Sequence, residues 1–185
     1  TLEGFLFPET YFFQESDSPE EILSQLTKEY KNNVPEKLKN RADSLGFSEL
    51  EMITLASIIE GEAIYNSERS TISAVYHNRL KLGMKLQADP TIQYIIKDSP
   101  RRLLNKDLKI DSPYNTYLHN GLPPAPVNNP GKASILAALF PEANEFLYFV
   151  ARGDGYHTFS KTQEEHNQAK REFQKFRRKH RKKRG

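Results

Sequence analysis

The sequence predicts an α+β domain, with helices packed against a small antiparallel sheet, and three observations predict it. A serine or threonine followed three residues later by glutamate opens three stretches, at Ser18–Glu21, Ser48–Glu51 and Thr162–Glu165. That spacing lets each side chain cap the other's backbone N–H, which marks a helix start. Two short aromatic runs, EFLYFVA and YHTFS, flank RGDG, the turn chemistry of a hairpin. Strands and helices do not alternate as they would in a parallel βαβ sheet.

In chain order, the opening EGFLFPETYFF is dense in Phe and predicts a strand or extended segment packed into the body. DSPEEILSQLTKEY follows as a helix, with Ser18 as cap and Pro19 at the first helical position, where a missing N–H costs nothing. A polar, lysine-rich helical stretch runs on to Gly46. FSELEMITLASIIEGEA opens the next helix at Ser48, stays apolar through its middle and then reaches Glu60. In NSERSTISAVYHNRLKLG, Ile72, Val75, Tyr76 and Leu80 fall at helical spacing, and Gly83 is placed to end the helix. From MKLQADPTIQYIIK to SPYNTYLHNGLPPAPVNNPG, turn signals predict a long irregular segment, a type that is usually functional. NPGKASILAALFP reads as a short helix capped by Asn129, led by Pro130 and closed by Pro141. The hairpin and a terminal helix from Thr162 complete a body of residues 1–169, leaving 170–185 as a basic tail.

Composition narrows the function. The 185 residues suffice for one domain, and eleven Phe and nine Tyr carry much of its burial in the absence of Trp. With no cysteine, disulfides, thiol nucleophiles and thiolate metal sites are excluded. No apolar run approaches the roughly 18 residues that span a bilayer. The abrupt start, TLEGFLF, predicts a fragment of a longer parent that carries its targeting elements elsewhere. The net charge of +3 hides an asymmetry, because ten Lys or Arg and one Glu lie between Lys170 and Arg184. The remainder is acidic, 17 basic residues against 23. Such a tail is either a solvated end or an attraction to an anionic surface. No nucleic-acid motif accompanies it, and nucleic acid is not an expected partner.

Glu60 poses the chemical question. At helical spacing it projects beside Ile53, Ala56, Ser57 and Ile64, which would desolvate a carboxyl group and raise its pKa, as a general acid requires. The structural alternative is an ion pair with Arg69 or Arg79. Glu62 lies some 200° around the helix and is not its neighbour. His77, His119, His157, His166 and His180 form no metal-ligand spacing, and no metal is expected. His157 and His166 read as ordinary polar residues of a hairpin and a helix cap. No nucleophile elbow, phosphate loop or dinucleotide fingerprint is present, and no cofactor is expected. Gln87, Asp89, Gln93, Tyr114, Asn115, Thr116, Tyr117 and Asn120 cluster among stiffening prolines. Flat aromatics with amide and hydroxyl groups suit sugars, and they equally suit a loop that satisfies its own backbone.

Taken together, EGFLFPETY, LASIIEGEA, ERSTISAVYHNRLKLGMKLQADPTIQY, SPYNTYLHNGLPPAPVNNPG and YFVARGDGYHTFSKTQEEHN resemble the endolytic murein transglycosylases, the YceG-like family, in order from Glu3 to about Asn167. The resemblance implies a membrane-anchored bacterial enzyme cleaving nascent peptidoglycan strands outside the cytoplasmic membrane. It implies an N-terminal anchor and a LysM-like segment missing from this chain, and cell-wall synthesis and division proteins as partners. It identifies Glu60, the first glutamate of the motif, as the catalytic acid. The position between the two glutamates is often Lys in relatives and is Gly61 here, which leaves the role of Glu62 open; it is placed among the supporting residues. The implied reaction breaks the MurNAc–GlcNAc bond and closes the C6 hydroxyl onto C1, leaving a 1,6-anhydroMurNAc end. One carboxyl serves both steps, whereas a muramidase needs a second carboxylate about 5 Å or roughly 6.5–9.5 Å away, for which Asp89 and Glu68 are candidates. Gln87, Asp89, Tyr114, Asn115 and Tyr117 are expected to line the glycan groove, with Glu68 or Arg79 supporting the fold around Glu60. A non-catalytic peptidoglycan-binding module is the competing class. The older aminodeoxychorismate lyase reading lacks any pyridoxal phosphate feature.

Overall fold

The apolar middle of the Ser48 helix forms the centre of the molecule. The computed structural model describes residues 1–182, with side chains through residue 178. Its elements are α1 (Pro19–Asn33), α2 (Glu36–Ser44), α3 (Glu49–Glu62), α4 (Arg69–Lys81), α5 (Asp89–Ile95), α6 (Lys132–Leu139), strands β1 (Tyr148–Ala151) and β2 (His157–Ser160), and α7 (Gln163–Lys182). Short 3-10 turns cover Asn66–Glu68 and Asp107–Lys109. Every residue of α3 from Met52 to Ile59 is buried, and the helix packs against α6, α5, α4 and α2. A helix apolar all round must be enclosed on all sides, and α3 is. The strands pair antiparallel with Phe149 opposite Phe159 and Ala151 opposite His157, and α7 lies against the hairpin.

The three capping boxes form as the sequence predicts, at Ser18–Glu21, Ser48–Glu51 and Thr162–Glu165. Five details differ. The opening segment makes no strand; Phe7 is buried, whereas Phe12 is 93% exposed. It is held instead by Asn129, whose Oδ1 accepts the N–H groups of Gly4 at 2.7 Å and Leu6 at 3.3 Å. Asn129 therefore does not cap α6, and Gly131 takes the N-cap position without a side-chain bond of its own. The lysine-rich stretch breaks at Val34–Pro35 into α1 and α2, because the residue before a proline is pushed out of the helical region. The irregular segment contains α5, with Pro90 in its first turn. The expected boundary at residue 170 falls inside α7, which runs on as one helix, so the first part of the basic stretch is not a frayed end. Residues 183–185 and the side chains of 179–182 lie outside the described residues.

Gly61 has a packing reason. A Cβ placed there would sit 2.7 Å from both Cβ and Cγ of Pro90. The absent side chain lets the start of α5 close onto the end of α3. Gly61→Ala gains helix propensity but must push α5 away, and thermal unfolding is expected to show a net loss of about 1–2 kcal/mol.

Candidate active site

The two glutamates that end α3 go to different places. Glu60 turns toward α6 and the start of α4. Its Oε1 lies 3.2 Å from Nη2 of Arg69, and its Oε2 accepts the N–H of Gly131 at 3.1 Å. Arg69, itself buried, also donates to Ser134 Oγ at 2.6 Å and to Asn66 Oδ1 at 2.9 Å. A carboxylate at the N-cap of α6 further meets the positive end of that helix dipole. The chain arrives there because Ser57 of α3 pins the preceding loop, accepting the Val127 N–H at 3.0 Å while its carbonyl takes the Asn128 amide at 2.8 Å. The expected apolar, cation-free surroundings of Glu60 are thus not found. Arg69 is its partner, and Ile64, past the helix end, is 69% exposed.

Glu62, the last residue of α3, turns the other way, into a cavity of about 360 Å³. α4 supplies Arg79 to its wall, the turn into α5 supplies Leu86, Gln87 and Asp89, and the loop beyond supplies Tyr117. Phe149, Val150 and Ala151 of β1, His157 of β2, and His166, Lys170 and Phe173 of α7 close the other side. The size and mixed lining are those of a small-ligand cleft. Glu62 Oε1 accepts the hydroxyl of Tyr76 at 2.9 Å. Burial, with the nearby Asp89 charge second, pushes its carboxyl up to about 7, against the pull of the Tyr76 hydroxyl, the Asp89 backbone N–H and Arg79. Arg79 is committed to the scaffold, donating to the carbonyls of Leu147 at 2.6 Å and Leu86 at 2.7 Å while stacking over Tyr148. His166 stacks on Tyr148 and its buried Nδ1 lacks a hydrogen-bond partner; burial, then Lys170 and Arg79, bring its pKa down to about 4. It is a neutral ring at neutral pH.

The predicted groove residues divide. Gln87, Asp89 and Tyr117 line the cavity, and the Tyr117 hydroxyl donates to Asp89 Oδ1. Gln87 sits at φ 50°, a left-handed conformation uncommon for a residue with a side chain. Its N–H is held by the carbonyl of Thr116 at 3.0 Å. Tyr114 and Asn115 are not among the lining residues. Asn115 is fully buried, donates to the carbonyls of Leu108 and Ile110 and accepts the Tyr117 N–H at 2.9 Å. Tyr114 packs on Tyr94. Both build the loop that presents Tyr117. Glu68 supports His157, not Glu60, and Arg79 stands beside Glu62.

A histidine in a strand beside a Gly-Asp-Gly turn, and the first turns of the C-terminal helix, were the available signals for the far wall; their placement in the cavity depends on how α7 lies on the hairpin. Among the described residues, no three His, Asp or Glu side chains are placed to hold a metal ion, and no helix is long and apolar enough to cross a membrane.

The model of the YceG-like family matches residues 1–172. The chain belongs to the YceG-like family. Among its relatives, the endolytic murein transglycosylase of Bacillus subtilis strain 168 is 44% identical over 93% of this chain. The endolytic murein transglycosylase of Streptococcus pneumoniae serotype 2 is 32% identical over 90% of it. A crystal structure of a YceG-like protein from Listeria monocytogenes superposes with a TM-score of 0.84 at 43% identity, covering 90% of this chain and 55% of that one. The chain spans 48% of the length of the Bacillus relative and 31% of the pneumococcal one. The fold of this chain is an α+β arrangement with a two-stranded hairpin, as the sequence predicts.

Proposed function

We propose that this YceG-like chain is the catalytic part of an endolytic peptidoglycan lytic transglycosylase, and that Glu62 is its acid. The observation that carries the reading is the Glu62 carboxyl, pushed up to about 7 within the cavity, in a chain whose curated relatives bear that name. A general acid working near neutral pH needs such a pKa. Glu60, which the family motif singles out, has both oxygens engaged by Arg69 and Gly131 and does not line this cavity.

In the proposed reaction, protonated Glu62 gives its proton to the glycosidic oxygen as the C1–O bond of MurNAc breaks. The resulting carboxylate then takes the proton of the MurNAc C6 hydroxyl as O6 bonds to C1. The proton returns to Glu62 and no water is consumed. Gln87, Asp89 and Tyr117 contact the glycan at the near wall. The substrate is peptidoglycan at the extracytoplasmic face of the bacterial membrane, reached through an anchor elsewhere in the full-length protein, with cell-wall synthesis and division proteins as partners.

Asp89 keeps a second reading in view. It lines the same cavity and would be the second carboxylate of a muramidase, whereas both oxygens of Glu68 are engaged by His157. Mass spectrometry of uncrosslinked glycan strands after incubation with this chain decides between them. New ends one water lighter than reducing MurNAc are expected. Reducing ends would replace the transglycosylase by a hydrolase, and no new ends at all would favour a binding module.

A further inference from the structure

The Glu68 carboxylate is buried, and both of its oxygens go to one residue. Oε1 accepts the backbone N–H of His157 at 3.0 Å, and Oε2 meets the ring Nδ1 at 3.0 Å. A carboxylate only accepts, so Nδ1 carries a proton, and the neutral tautomer this contact selects has its lone pair on the other nitrogen, Nε2. The ring is fixed from a second side by Phe149, edge to face at 5.2 Å. Among the described residues Nε2 has no partner, and it is not among the sealed polar atoms. His157 lines the same cavity as Glu62. A buried carboxylate is costly to maintain unless its hydrogen bonds are satisfied. Here its hydrogen bonds set the tautomer and angle of one imidazole at the cleft. Ala151 pairs with His157 across the hairpin, and Glu68 also holds that strand through the His157 backbone N–H.

We propose that His157 is a substrate-contacting residue of the cleft, its Nε2 accepting a hydrogen bond from a hydroxyl or amide N–H of the bound glycan, and that Glu68 is the positioning residue that aims it. The inference rests on the glycan-cleaving reading of this cavity and adds a second functional group to it, on the hairpin side opposite α3.

Two amides separate this role from a structural one. The side chain of Asn reaches about as far as Nδ1 and keeps a donor for Glu68, but offers nothing at the Nε2 position. The side chain of Gln reaches about as far as Nε2. His157→Asn is therefore expected to melt within a few degrees of the parent chain yet release glycan fragments about tenfold more slowly, the scale of one lost hydrogen bond. His157→Gln is expected to recover several-fold of that loss. If Asn is as active as His, or Gln no better than Asn, the inference fails, because a merely structural ring prefers Asn. Binding of uncrosslinked strands gives a readout free of turnover: in a Glu62→Gln background, adding His157→Asn is expected to weaken binding several-fold, and unchanged binding overturns the proposal. Cleavage that survives Glu62→Gln would instead overturn the assignment of the acid, leaving the comparison of Asn with Gln intact.

Discussion

Glu62→Gln is expected to lower the rate of chain cleavage by about 10²–10⁴-fold, the usual worth of a positioned general acid, without unfolding the protein. Glutamine keeps the shape and can still accept the Tyr76 hydroxyl, so the bond recorded at 2.9 Å survives while the transferable proton is lost. Glu60→Gln is the control, and its expected cost is of another kind. It removes the charge facing Arg69, a buried guanidinium otherwise held by Ser134 and Asn66. Weakening that contact is expected to cost about 1–3 kcal/mol, because the remaining partners only partly compensate a buried cation. In a chain of this size each kcal/mol lowers the melting temperature by about 2–4 °C. Cleavage per folded molecule should then stay within a few-fold of the parent for Glu60→Gln. The opposite pattern, an inactive Glu60→Gln that melts normally beside an active Glu62→Gln, would return the acid to Glu60 as the motif suggests.

The two glutamates show where sequence reasoning reaches and where it stops. The start of α3 was legible because a capping box is local, decided by residues 48 and 51 alone. The burial of α3 was legible because a run apolar on every face has few other fates. The division between Glu60 and Glu62 depends on groups far along the chain. Arg69 and Gly131 claim one carboxylate, and Tyr76, Asp89 and the cavity claim the other. Helical angle correctly places the two on different faces, but not which face will be roofed by a loop pinned to Ser57. The groove loop divides similarly. Composition identified the segment, yet Asn115 and Thr116 turn inward to hold it while Tyr117 faces the cavity. Asn129 was misread because its tie to the N-terminal segment crosses more than a hundred residues, and no local pattern reports it.

The second large effect is on pH dependence, with stability changing below the Glu62 pKa of about 7 and activity above it. With its carboxyl near 7 in the fold and near 4.5 when unfolded, Glu62 binds more protons in the native state between those values. Stability must therefore fall as pH rises from about 4.5 to 7 and level off above, by about 2 kcal/mol once the partly open face of Glu62 is allowed for. Glu62→Gln should erase that slope and melt several degrees above the parent at pH 8. Cleavage needs the protonated acid, so kcat/KM should fall about tenfold per unit above pH 7. The charged groups around Glu62 set that limb. Asp89 raises it and Arg79 lowers it, so Asp89→Asn should bring the limb to lower pH. The acidic side of the profile then separates mechanisms. A transglycosylase that begins and ends each turnover with the proton on Glu62 draws no acidic limb from a second carboxylate. A hydrolase using ionised Asp89 would lose activity as that group protonates, giving a bell that Asp89→Asn abolishes together with the activity itself. A rate profile flat from pH 6 to 9, with stability flat from pH 4.5 to 7, would mean that Glu62 does not titrate near 7 and is not the acid.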